Sequence, residues 1–128
     1  MNWKHDLGLL ILRVGVAGLM ITHGYDKLAQ FSAMSAHFPD PLGVGNSVSL
    51  ALTVFAEFFC ALALILGLFT RYVSLPLIIT MGVAALMIHG SDPLSKKEPA
   101  LLYLIPFVAL SLLGAGKYSL DGLLGRNK

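Results

Sequence analysis

Eight side chains could do chemistry in a chain that leaves little room for charge. Only 12% of the 128 residues are Asp, Glu, Lys or Arg, and 56% are hydrophobic. Against that background Arg13, Glu57, His23, His89 and Glu98 stand in or beside apolar runs, with Lys27, Thr53 and Tyr103 near them. An Arg or Asp at the centre of a membrane helix costs about 2.5–3.5 kcal/mol on insertion scales, so each such residue needs a partner. Arg13 and Glu57 carry opposite charge on successive runs and form the first expected pair. Thr53 and Cys60, at i−4 and i+3, share the helical face of Glu57. His23 and His89 each close an apolar run, while Glu98 and Tyr103 open another on the same side. Gathered at one level, these groups would make a polar pocket for a quinone-like head group, another redox-active ligand or a proton. Quinone carbonyls accept hydrogen bonds from His, Arg or a protonated Glu, and a long apolar tail needs a groove between helices. The competing reading is structural: an ion pair that ties two helices together, and histidines that bond loop carbonyls where helices stop.

Such positions must be supplied by helices. Four runs, 7–25, 47–69, 72–89 and 99–115, approach the roughly 20 apolar residues that a bilayer crossing needs. In hydrocarbon the backbone has to satisfy its own hydrogen bonds, which makes these runs helical. The expectation is an all-α integral membrane four-helix bundle, one transmembrane domain over 1–128. At 1.5 Å per residue, Arg13 lies roughly 9 Å from the inner surface, Glu57 roughly 18 Å, and both histidines about 24–25 Å. Pro76 falls near the start of the third helix, and Pro106 predicts a kink in the fourth. Gly8, Gly15 and Gly18 read as close-packing positions, which invite a second copy of the chain or a partner subunit. After the first run, Leu28, Phe31, Met34 and Phe38 recur at helical spacing, which predicts a short interfacial helix within 26–38. "PDPLGVG" (39–45) ends it, and Asn46 or Ser47 is the expected cap of the second helix.

The chain also looks doubled. "GVAGLMITHGYDKL" (15–28) matches "GVAALMIHGSDPL" (82–94), and "LGLFTRY" (66–72) matches "LGAGKY" (113–118). Two repeated helical hairpins would explain both matches. Lys4, Arg71, Lys117, Arg126 and Lys128 flank one side, and Lys27, Lys96 and Lys97 the other. This bias puts both termini in the cytoplasm, with Trp3, Tyr72 and Tyr118 at the inner interface and Tyr25 at the outer one. Arg13 inside the first run, with no small-x-small cleavage site after it, argues against a cleaved signal peptide.

Other chemistry is thin. A net charge of +2 gives no reason to expect a nucleic-acid partner. The lone Cys60 can form neither an intrachain disulfide nor a Cys-x-x-Cys centre. The sequence carries no phosphate loop, nucleophile elbow or metal signature.

"LRVGVAGLMITHGYDKL" (12–28), "AEFFCALALILGLFTR" (56–71), "EPALLYLI" (98–105) and "GAGKYSLDGLL" (114–124) resemble the DoxX family of small four-helix bacterial membrane proteins. The resemblance runs in order over nearly the whole chain. It falls on Arg13, His23–Gly24, Lys27, Glu57, Gly67, Thr70–Arg71, Glu98, Gly114, Gly116, Ser119 and Asp121. It implies a multi-pass bacterial inner-membrane protein. Some relatives are subunits of a thiosulfate:quinone oxidoreductase, and others are proposed to anchor redox or thiol-stress complexes. The expected function is therefore the membrane subunit of a redox system, an oxidoreductase subunit rather than a complete enzyme alone, with quinone as its ligand. The alternative is a non-catalytic anchor or small-solute carrier. The dithiol chemistry of the neighbouring vitamin K epoxide reductase-like proteins needs paired cysteines, which this chain lacks.

Overall fold

One stripe of α1 (Trp3–Ala29) organises the molecule: Asp6, Leu9, Arg13, Ala17, Met20 and Gly24 are its buried residues, spaced three or four apart. That is the period of a single helix face. The computed structural model describes residues 3–125. After α1 come α2 (Phe31–Met34), α3 (Asn46–Leu66), α4 (Thr70–Ile88), α5 (Leu94–Leu113) and α6 (Leu120–Leu123). The stripe of α1 packs against α3, and α5 packs most extensively against α4. Met20, Leu64, Leu77, Met81, Phe107 and Leu110 meet at the centre. Most other large apolar side chains, such as Leu19, Leu52, Ile79 and Leu112, face outward. That distribution suits hydrocarbon as the solvent.

The described residues hold three helices long and apolar enough to cross a membrane, α1, α3 and α4. The sequence reading counted four. The difference lies in α5, which begins at Leu94, so its first turns include Lys96, Lys97 and Glu98. It continues as helix through Pro99 and Pro106.

Other boundaries move for local reasons. α1 extends beyond 7–25 at both ends, and its last turn takes up Asp26–Ala29. Only Phe31–Met34 then remains of the interfacial helix expected within 26–38, and none of its residues is buried. α3 stops at Leu66 because Gly67 (φ 69°) and Phe69 (φ 51°) turn left-handed. α4 starts at Thr70, which places Pro76 beyond the first turn, its carbonyl accepting from the Thr80 hydroxyl at 2.8 Å.

Neither Asn46 nor Ser47 caps α3, whose N-cap is Gly45. Asp40 takes over: its carboxylate accepts from the Val44 and Gly45 amides (3.0 and 2.8 Å) and the Ser49 hydroxyl (2.8 Å). The Asn46 amide instead donates to the Ala36 carbonyl at 3.0 Å.

The two His-Gly stretches are not conformational equivalents. His23–Gly24 lies inside α1, whereas His89–Gly90 follows the end of α4, whose last residues, Ala84–Ile88, form a π turn. Gly8, Gly15 and Gly18 face open space, so they are not packing positions within the chain. Gly24 is: a Cβ there would overlap the backbone of Glu57 and Phe58. Arg126 and Lys128, used in the charge count, lie outside the described residues.

Candidate functional site

Glu57 reaches the interior through an irregularity. Residues Phe55–Cys60 form a π turn within α3, and Ala56, Glu57 and Cys60 are buried there. Single π turns inside α-helices recur at functional sites because the extra residue redirects side chains. Gly24 lets α1 come against this turn without a side chain between them. One turn further along α1, Lys27 donates from Nζ to Oε1 of Glu57 at 2.7 Å. Only 6% of the Glu57 side chain and 21% of that of Lys27 are exposed.

Two cavities adjoin this pair. The larger, of about 340 Å³, lies between α3 and α4 beneath Phe38, Pro39, Pro41 and Leu42 of the long loop. Its walls include Leu52 and Ile79, and Thr53 borders it with Lys27, Glu57 and His89. The Thr53 hydroxyl is engaged along its own helix, donating to the Ser49 carbonyl at 2.9 Å. The smaller cavity, of about 190 Å³, is bounded by Met20, His23, Lys96 and Tyr103. Lys27, Glu57, Ala84 and His89 line both.

The histidines are held differently. His89 Nδ1 lies 2.9 Å from Asp92 Oδ2. That contact assigns the proton of the neutral ring to Nδ1, because a carboxylate can only accept. The hydrogen bond from His89 holds the Asp92 carboxyl below its ordinary range, with Lys96 and Lys97 adding to the effect. His23 meets Tyr103 edge-on at 5.7 Å, and Tyr103 stacks on Phe107 at 6.1 Å. Glu98 is exposed and lines neither cavity.

Arg13 lies at the opposite end. It is 2% exposed. Its Nη1 donates to the Ala115 carbonyl at 2.7 Å, and its Nη2 to the carbonyls of Tyr118 at 2.9 Å and Ile65 at 3.4 Å. Asp121 adds a negative charge nearby. Its carboxylate accepts from the Phe69 and Thr70 amides at 2.8 Å each, across the turn before α4. Its own amide donates to the Gly67 carbonyl at 2.8 Å.

The expected Arg13–Glu57 pair is therefore not formed. Gly24 marks where α1 meets Glu57, and eleven residues of helix put Arg13 about 16 Å away along the axis. The structure brings His23, Lys27, Glu57, His89 and Tyr103 together, with Thr53 on the adjoining wall. It separates Arg13 and Glu98 from them. From the sequence, Lys27 stands beside the cluster, past the apolar run 7–25. The signal that could have raised it is its position three residues after Gly24, on the packed stripe. Asp6 and Asp121 are both buried; Asp121 stands out in the sequence only through the family resemblance, and Asp6 by no signal.

A family model described as DoxX matches residues 8–90. The chain belongs to the DoxX family. The DoxX match takes in Arg13, His23, Lys27, Glu57 and His89, and it ends before Glu98 and Asp121. Among curated proteins, the chain is 27% identical to the inner membrane protein YqjF of Escherichia coli K12 over 135 residues, covering 98% of each. It is 29% identical over 126 residues to an uncharacterized protein of Haemophilus influenzae, covering 92% of this chain and 83% of that one. No solved structure matches the chain. With three helices long and apolar enough to cross a bilayer, this is a DoxX-family membrane protein.

Proposed function

We propose that the chain is a multi-pass bacterial inner-membrane protein, the membrane subunit of a redox system, whose larger cavity binds the head group of a quinone-like ligand. One observation carries this reading: an apolar cavity that opens sideways between α3 and α4 ends on a Lys27–Glu57 pair, with Glu57 buried and Lys27 partly so, and with His89 beside it. Its volume, about 340 Å³, falls at the lower end of the roughly 300–1,000 Å³ of small-molecule sites, enough for a head group whose tail lies in lipid. Lys27 supplies an ammonium donor for a quinone oxygen, and His89, whose Nδ1 proton is held by Asp92, adds an Nε2–H donor only when its ring is protonated; Phe38, Pro39, Pro41 and Leu42 cover the cavity. When bound, a quinone would accept or give up electrons and protons; the chain's own part is to seat and orient it. The relative YqjF, described as an inner membrane protein, supports the location. α5 as a fourth crossing, cytoplasmic termini, descent from a doubled hairpin and association with a second copy or a redox subunit belong to the same proposal.

The test is extraction and titration. Purified protein should carry quinone detectable by mass spectrometry, and decylubiquinone should raise Tm in the parent chain but not in Lys27→Ala or in Leu52→Trp, which narrows the lateral opening. Repeated absence of quinone, together with no response of Tm to decylubiquinone, would sink the reading and leave the non-catalytic anchor or small-solute carrier.

A further inference from the structure

The two cavities meet at Lys27, Glu57, Ala84 and His89, and they open to different surroundings. The larger reaches the helix surface beside Leu52 and Ile79, both more than half exposed. The smaller is rimmed by His23 and Lys96, exposed polar residues near the ends of α1 and α5. Its volume of about 190 Å³ has room for several waters at roughly 30 Å³ each, and its polar lining can hold them. Glu57 sits on the wall between the cavities. His89 borders both, with Nδ1 held by Asp92, which leaves Nε2 to take up a proton. That hydrogen bond favours the charged form of Asp92 and lowers its pKa, so a carboxylate stands behind the imidazole near neutral pH.

We infer that the smaller cavity is a water-filled vestibule through which His89, backed by Asp92, passes protons between Glu57 and the aqueous phase on the Lys27 side. In the inward direction the proton leaves Nε2 of the imidazolium and forms an O–H bond on the Glu57 carboxylate. The neutral ring then regains a proton at Nε2 from a hydronium ion that arrives from the aqueous phase through the vestibule waters, leaving water behind. No electrons move. Protonating Glu57 dissolves its ion pair and frees the Lys27 ammonium toward the larger cavity. The groups facing this exchange are His23 and Lys27 from α1, Glu57 from α3, His89 and Asp92 after α4, and Lys96 and Tyr103 from α5. The inference uses the geometry of the wall and not the identity of any ligand, so it stands or falls apart from quinone binding.

Infrared difference spectroscopy after a pH jump on the full chain, without added quinone, reads it directly. A carboxylic-acid band absent from Glu57→Gln should appear promptly in the parent, reach the same final amplitude about tenfold more slowly in His89→Phe, and slow less in Asp92→Asn. An unchanged rate in His89→Phe would overturn the relay, as would the lack of any Glu57-dependent band after the jump. A second measurement stands even if His89→Phe does not fold. In a Cys60→Ala background, Ala84→Cys should react with a charged, membrane-impermeant thiol reagent, whereas Ile79→Cys should react only with an apolar maleimide. An unreactive Ala84→Cys would mean that the vestibule is dry and the inference wrong.

Discussion

Lys27 and Arg13 show what a residue list can and cannot say. Both are cations in a chain that has few, and from the sequence only Arg13, inside an apolar run, is expected to pair with Glu57. Arg13 finds its acceptors on backbone carbonyls of Ile65, Ala115 and Tyr118. Every residue carries a carbonyl, so no sequence pattern marks those left without a donor at a chain turn. Lys27 takes the carboxylate that was expected to serve Arg13. Removing one partner of a fully buried pair costs about 3–5 kcal/mol. Lys27 retains 21% exposure, so Lys27→Ala should cost less, about 2 kcal/mol by the same reasoning. Glu57→Leu in the Lys27→Ala background should restore part of the loss, because no unpaired carboxylate then remains. Thermal unfolding of the parent, both single variants and the double variant in one detergent checks this, and strictly additive losses would dissolve the pair. The same cycle on Arg13 and Glu57 should be additive.

At the scale of elements, apolar runs announced the long helices well, while their ends and contacts depended on single residues. Gly24 illustrates this. The His-Gly stretch looked like a terminus because its second copy is one, yet Gly24 lies in the last third of α1 where the π turn of α3 presses on it. Gly24→Val must separate the two helices, and overpacking of this kind costs about 1–3 kcal/mol. It should lower Tm and weaken the Lys27–Glu57 coupling, whereas Gly15→Val, which meets open space, should do neither. Asp40 is the corresponding device in the long loop. Its carboxyl is held below the ordinary value of 3.8 by the hydrogen bond from Ser49 first and by backbone amides after it. A lowered folded value means that its stabilisation is complete above the unfolded value and is lost as the pH falls through the folded one. The Tm difference between the parent and Asp40→Asn should therefore be constant near neutrality and shrink towards zero below about pH 4. A difference that grows on acidification would show that the anchor works some other way.

For the whole molecule, composition and hydropathy made the all-helical membrane class legible before any contact was known. Outward-facing Leu and Ile side chains carry no more detail than that, because lipid accepts them on any face. The count of crossings was harder to read. Lys96, Lys97 and Glu98 join the same helix as an apolar run, because that helix starts just after Pro93, its N-cap, and runs on through Pro99. Lys4, Arg71 and Lys117 cluster at the Arg13 end. By the charge bias of cytoplasmic loops, a reporter inserted in the turn at Leu68 should therefore be cytoplasmic, and one at Asp40 outside. The reverse pattern would invert the molecule and place the proposed vestibule in the cytoplasm.

The carbonyls of Ala115 and Tyr118 that hold Arg13 lie more than a hundred residues after it in the chain. During synthesis at about 5–20 residues per second, the guanidinium enters the membrane and then waits on the order of 5–20 s for its acceptors to be made. Until then α1 carries an unsatisfied cation near its starting interface, and α4 lacks the Asp121 carboxylate that holds its first amides. This fastening is therefore completed only once residues 115–121, far downstream of Arg13, have been translated. A nascent chain stalled before residue 115 would present a membrane quality-control protease with an uncapped α4 and a bare arginine, a recognisable mark of unfinished work.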